Sequence, residues 1–140
     1  MSYVAETEFL FSLRPRDRWT KLTRKILQKA SQHRIQIRLL ESAVQEMRAV
    51  LGSQGKSYRD TYTSLILIKT KLTKHEILEE PTSIDDYILA DKLREEYPEL
   101  TYFDSLHAAA ALRLNAILVT SNRVYDRCEV KTITFGELAR

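Results

Sequence analysis

Four carboxylates and one amide stand where chemistry could gather in this chain: Glu6, Glu46, Asp104, Asp126 and Asn122. Glu6 lies inside an apolar lead-in, "YVAETEFLFSL". An ionised carboxylate is costly to bury without a partner or a metal, though an edge position or a salt bridge to arginine would also serve. Glu46 falls early in a helical stretch, where negative charge suits the helix dipole. Asp104 precedes "SLHAAAALRL" and is well suited to cap a helix. His107, three residues on, reads as a packing or hydrogen-bonding histidine. Asn122 and Asp126 follow the apolar run "AILVT". Asn122 favours a turn and Asp126 could cap one, yet either could reach a crevice. Carboxylates that converge repel each other, and a hard divalent cation removes the conflict. Mg²⁺ and Mn²⁺ prefer oxygen ligands and are commonly shared with phosphate. The matching chemistry is metal-assisted hydrolysis of a phosphodiester.

Convergence requires elements that deliver these residues to one place. The lead-in reads as a buried strand over Tyr3–Phe11. Asp17 can cap a helix carrying Trp19, Leu22, Ile26 and Ala30. "RIQIRLL" alternates as a second strand. Ser42 and Gln45 fit a capping box for a helix running to about Leu51. Gly52 and Gly55 mark a loop, and Tyr58, Tyr62, Leu65, Ile66 and Leu72 form the stripe of a further helix. Ser83 caps another helix, ended by Pro98. Then come a helix from Asp104 to about Leu114, a strand at "AILVT", a last strand near Val130–Thr134, and a helical turn or tail at "FGELAR". Strands alternating with helices imply parallel pairing, because the helices supply the crossovers. The expected architecture is α/β: a three-layer α/β/α sandwich on a mostly parallel sheet. In such sheets ligands bind outside the carboxyl ends of the strands.

A chain of 140 residues is expected to form one domain, residues 1–140, with no internal repeat or dividing linker. No apolar run reaches the roughly 20 residues of a membrane helix. The N-terminus lacks a secretion-signal pattern, and a cytoplasmic location is expected. Cys128 stands alone, which excludes an internal disulfide and argues against a cysteine-based zinc site. A net charge of +3 permits a polyanionic partner without demanding one.

Taken in order, the segments resemble the PIN-domain family, which includes the ribonuclease toxins of VapBC toxin–antitoxin systems. The likeness spans about Tyr3 to Phe135. "YVAETEFLFSLRPRDR" resembles the family's first strand, with Glu6-Thr7 where an Asp-Thr pair is usual. "LLESAVQEM" resembles the second segment, with Glu46 as its acid. "LTYFDSLHAAAALRLNAILVTSNRVYD" resembles the third acidic position at Asp104 and the closing motif over Thr120–Asp126. Asn122 stands where many members carry aspartate, and Asp126 is then a candidate fourth carboxylate.

The resemblance implies Mg²⁺- or Mn²⁺-dependent cleavage of RNA, a homodimer, and a small antitoxin protein as partner. It implies metal ligands Glu6, Glu46, Asp104 and Asp126, with Asn122 in the catalytic set. Arg14 and Arg16, in the loop after the first strand, and Thr120 and Ser121 are expected to meet RNA. Lys69, Lys71 and Lys74 read as a solvated group. Trp19, Tyr58 and Tyr62 read as core or dimer surface. Glutamate at position 6 carries one methylene more than aspartate, a displacement of roughly 1.5 Å. A second reading is therefore a catalytically weakened PIN-like domain that binds RNA or protein without cutting. A phosphotransfer α/β domain fits poorly, because this strand offers no aspartate nucleophile.

Overall fold

The computed structural model describes residues 1–140. Five strands form one sheet in the order β3-β2-β1-β4-β5: β1 Ser2–Ala5, β2 Gln36–Leu40, β3 Leu78–Glu80, β4 Ile117–Val119 and β5 Thr132–Ile133. Every pairing is parallel. The chain leaves β1 through α1 (Thr7–Ser12) and α2 (Thr20–Ser31) to reach β2. Two further helices, α3 (Glu41–Ser53) and α4 (Tyr58–Lys74), lead to the edge strand β3. It then returns through α5 (Ile84–Glu96) and α6 (Tyr102–Arg113) to β4, on the other side of β1, and ends with β5 and α7 (Phe135–Ala139). Right-handed crossovers in the two directions put helices on both faces, which is the expected α/β/α arrangement. The order reverses between β1 and β4, so a crevice must open at their carboxyl ends.

One cluster of 33 buried residues fills the space between sheet and helices. β1 lies at its centre, with Val4 and Ala5 fully buried. The alanines of α6, Ala108 to Ala111, are buried as a run, consistent with close approach of that helix to its neighbours. No helix is long and apolar enough to cross a membrane.

Several local expectations are corrected. The first strand does not run to Phe11 but stops at Ala5, because Glu6 caps α1 with its own carboxylate. A segment apolar on all sides buries equally well as strand or helix, so its pattern could not mark the boundary. Ser42 and Gln45 form no capping box. Helix α3 already begins at Glu41, Ser42 turns its hydroxyl to His107, and the Gln45 amide donates back to Glu41. Asp104 is not the cap of α6. Thr101 is, and Asp104 is its reciprocal partner at the third helical position. Asp17 accepts from the Trp19 amide ahead of α2 rather than capping the helix itself. Of the α4 stripe Leu72 is buried and Leu65 packs half-buried on the core, but Tyr58, Tyr62 and Ile66 face outward, and Ile68 is buried in their place. The closing strand holds only Thr132 and Ile133. Strand β3 was not foreseen: two of its three residues are glutamates.

One ion-pair network fixes the return leg. Asp86, 1 % exposed, accepts from Arg113 Nε at 2.6 Å and Nη2 at 3.1 Å, and the same guanidinium reaches Glu80 Oε1 at 3.2 Å. It ties α5 to α6 and both to the end of β3. Breaking a buried pair strands the remaining charge, at about 3–5 kcal/mol. Arg113→Met is expected to lower stability by about that much, read from the urea midpoint.

Candidate metal centre

The start of α1 sets the first acid. β1 ends at Ala5 and the chain turns at once into the helix, so Glu6 emerges at the carboxyl end of the central strand. Its Oε1 accepts from the Glu8 amide at 2.9 Å, and Glu6 is only 4 % exposed. Glu46 projects from the second turn of α3. Asp104 is held at the start of α6 by the Thr101 amide, which donates to Oδ2 at 3.1 Å, and by the Tyr125 hydroxyl, which donates to Oδ1 at 3.3 Å. Asn122 follows β4 and caps the 3₁₀ turn Arg123–Arg127, its Oδ1 accepting from the Val124 amide at 3.0 Å.

Glu6, Glu46, Asp104 and Asn122 line one hollow of about 300 Å³, together with Glu8 and Ser121. A larger hollow of about 560 Å³ opens at the amino ends of β1 and β2, beside Ser2, Gln36 and Ile37. It gathers no carboxylates apart from Glu76, so size is a poor guide to chemistry here.

The electrostatics of the acidic hollow are those of charge in want of a cation. Burial, then the Glu8 charge, push the Glu6 carboxyl up to about 8. The hydrogen bond from the Glu8 amide opposes the rise, and Glu46 and Asp104 add to it. Tyr125 shows the same field: burial first, then Glu6, Asp104 and Glu46, push its phenol well above the ordinary range. Glu46 goes the other way. Burial would raise it, but hydrogen bonds from His107 and Thr7 outweigh that and hold it below the usual carboxylate value.

Other site candidates are placed differently. Asp126 accepts from Arg123 Nε at 3.2 Å and lines an adjoining hollow with Trp19, Leu22 and Phe135, not the acidic one. Thr120 is 3 % exposed, and its hydroxyl donates to Glu8 Oε1 at 3.1 Å. Ser121 donates to Glu8 through both its amide and its hydroxyl. Arg14 stacks its guanidinium over the Phe11 ring, 5.6 Å from the centroid, and Phe11 forms part of the hollow's wall. Arg16 is exposed in a left-handed backbone conformation, φ 70°.

A family model for the PIN domain matches residues 3–131. The chain belongs to the PIN-domain family. Among curated protein sequences none matches it. Among solved structures, this PIN domain is similar to VapBC2 from Rickettsia felis bound to a promoter DNA fragment, with a TM-score of 0.71 and 16 % identity, covering 96 % of this chain and 98 % of that one. It is also similar to VapBC-1 from nontypeable Haemophilus influenzae, with a TM-score of 0.66 and 19 % identity over 97 % and 99 % of the two chains. PAE2754 from Pyrobaculum aerophilum gives a TM-score of 0.66 and 17 % identity over 99 % and 96 %. At these identities the likeness is one of fold.

Glu6, Glu46 and His107 of this PIN domain each present a ligand atom within 4.8 Å of the others, so the cluster could hold a metal ion. His107 is better placed to hold Glu46 than to hold a metal itself. Its Nε2 lies 3.0 Å from Glu46 Oε1, and an ionised carboxylate only accepts, so Nε2 carries the proton. Nδ1 lies 2.8 Å from the Ser42 hydroxyl, which completes the fixing of the ring. Thr7 donates to the same Glu46 oxygen. Partners of this kind typically govern metal affinity by ~10–100-fold. His107→Leu is expected to weaken Mn²⁺ binding by a factor in that range, with His107→Gln recovering part of the loss, as measured by calorimetric titration.

Glu8 and Tyr125 were not singled out from sequence, Thr7 was marked only as the neighbour of Glu6, and Ser42 only as a helix cap. Glu8 carried a signal in the doubled acid of "ETE". The others are ordinary residues whose roles exist only through contacts made by the fold.

Proposed function

We propose that this PIN-domain protein is a Mg²⁺- or Mn²⁺-dependent endoribonuclease and the toxin of a toxin–antitoxin pair. The observation that carries the reading is Glu6, a carboxylate 4 % exposed, facing the charges of Glu8, Glu46 and Asp104 across one hollow. Hydroxyl and carboxylate oxygens suit a hard cation. Glu6, Glu46 and Asp104 would hold it. When bound, the ion neutralises the acids, polarises the phosphodiester and lowers the pKa of water. The chain does the rest by position. Thr7 and His107 fix Glu46, and Thr101 and Tyr125 fix Asp104. Asn122 spends its carbonyl on the turn, which leaves its amide N–H groups to meet a phosphate oxygen. Arg14 stands at the Phe11 wall as a phosphate partner.

The toxin assignment is supported by fold neighbours that are VapBC complexes, and by a toxin–antitoxin complex from Klebsiella pneumoniae at a TM-score of 0.61. A small antitoxin, and a second copy of this chain, are the partners proposed. Tyr58, Tyr62 and Ile66 on α4 and Ile84 and Ile88 on α5 offer exposed apolar surface for them.

The direct test is cleavage of end-labelled single-stranded RNA in Mg²⁺, in Mn²⁺ and in EDTA. Metal-dependent cuts support the reading. Binding without cutting at any metal concentration favours the second one, a domain with weakened catalysis. That alternative draws on one detail: Glu6 bends one oxygen back onto the Glu8 amide, leaving only the other for a metal. In that case Glu6→Asp should create or raise activity.

A further inference from the structure

A second hollow, of about 200 Å³, lies at the far end of α1, between α2 and the end of α4. Arg24, Lys71, Lys74 and His75 line it, and no carboxylate does. Three arginines of this protein are neutralised in ion pairs, Arg38 with Glu80, Arg113 with Asp86 and Arg123 with Asp126. Arg24, Lys71 and Lys74 form no such pair. Lys71 is fixed in place, because its ammonium donates to the Leu13 carbonyl. The nearest acid in sequence, Glu76, turns to His33 at 3.5 Å. The uncompensated charge is felt at His75: burial first, then Lys74 and Lys71, hold its imidazole below the ordinary range.

The floor of the hollow narrows the choice of ligand. Thr23 and Ser12 are each 1 % exposed. The Thr23 hydroxyl donates to Ser12 Oγ at 2.7 Å, and Ser12 donates to the Phe9 carbonyl at 2.5 Å. Both protons are spent inward, so the floor offers no free donor. Anything held here is held by charge from the rim, which is how backbone phosphates are bound without regard to sequence.

The two hollows share one short helix. Glu6, Thr7 and Phe11 belong to the acidic one, Ser12 and Leu13 to the basic one. Six helical residues span about 9 Å. A strand lying along α1 can therefore present one phosphate to the acidic hollow and another to the basic one. We propose that the hollow lined by Arg24, Lys71, Lys74 and His75 is a phosphate subsite for the RNA strand whose reacting bond lies at the acidic hollow. The proposal rests on the ribonuclease reading and adds a second point at which the substrate is held.

The test removes two exposed charges, Arg24→Ala with Lys74→Ala, and compares them with a control pair on α5, Lys92→Ala with Arg94→Ala. Binding of a labelled single-stranded RNA is followed by fluorescence anisotropy in EDTA, so that no cleavage intervenes, across a salt series. The subsite pair should weaken binding by about fivefold and flatten the salt slope by ~0.7, the value for one phosphate on a single strand. The control pair should do neither. The His75 ring resonances should shift on adding RNA to the wild-type protein.

Equal effects of the two pairs, or an unmoved His75, would overturn the subsite while leaving the nuclease reading intact. If inorganic phosphate moves His75 but RNA does not bind, the hollow takes free phosphate and the RNA assignment fails. If polyglutamate binds tighter than RNA and loses affinity in the subsite pair, the hollow is an acidic-peptide surface and the proposal is wrong.

Discussion

Asp104→Asn is expected to leave a folded protein whose proposed metal-dependent RNA cleavage has fallen by ~10–100-fold or more, since loss of even a supporting partner of a metal ligand costs that much. The fold should survive for a local reason. Asparagine keeps a carbonyl oxygen for the Thr101 amide, which now donates to Oδ2. Its amide can donate to Tyr125, whose hydroxyl accepts as readily as it donates. The capping box of α6 is kept, and stability should change by about 1 kcal/mol or less. What the substitution removes is one negative charge from a hollow that also holds Glu6, Glu8 and Glu46. Kinetics and urea unfolding together separate the two effects. Cleavage at the wild-type rate by Asp104→Asn would remove Asp104 from the reacting centre.

Metal-free protein should lose stability as the pH rises, the reverse of ordinary acid denaturation. Burial and neighbouring acids push Glu6 from 4.5 to about 8 in the folded chain. Between those values the folded state holds a proton that the unfolded chain has released, so stability falls with rising pH. The contribution is fully present below pH 4.5 and is lost as the pH passes through 8. Its size is on the order of 5 kcal/mol. Glu6→Gln, neutral at every pH, should flatten this slope in EDTA. Adding Mn²⁺ at pH 8 should restore wild-type stability, by about 2.7 kcal/mol at a hundredfold excess over Kd, and should do much less for Glu6→Gln. Urea midpoints at pH 5, 6.5 and 8 test all three statements. A wild-type curve parallel to that of Glu6→Gln would mean that Glu6 carries no strained charge.

The layered parallel architecture was legible because strands and helices alternate and turn residues mark most boundaries. Glu6, Glu46 and Asp104 stood out as acids in apolar settings, and the fold brings them to one hollow. What sequence could not show was competition between partners. Asp126 is near Asn122 in the chain, but Arg123 draws it to the other side of the turn. Thr120 and Ser121 are polar residues at a strand end, a natural place to meet substrate. Their hydroxyls go instead to Glu8, 112 and 113 positions earlier. The α4 stripe held at Leu65 and Leu72 but failed at Tyr58, Tyr62 and Ile66 for a related reason: apolar spacing marks a helix face but does not say how much of it the protein covers.

That contact between Glu8 and the Thr120–Ser121 turn has a consequence for the life of the chain on the ribosome. The acids of residues 6 and 46 are synthesised early, but the wall opposite them is not built until residue 121 has been added. β1 also waits for β4, its neighbour on one side. A nascent chain therefore carries Glu6 and Glu46 long before it carries Asp104 and the turn that complete the hollow. The hollow becomes whole only once Ser121 has closed onto Glu8.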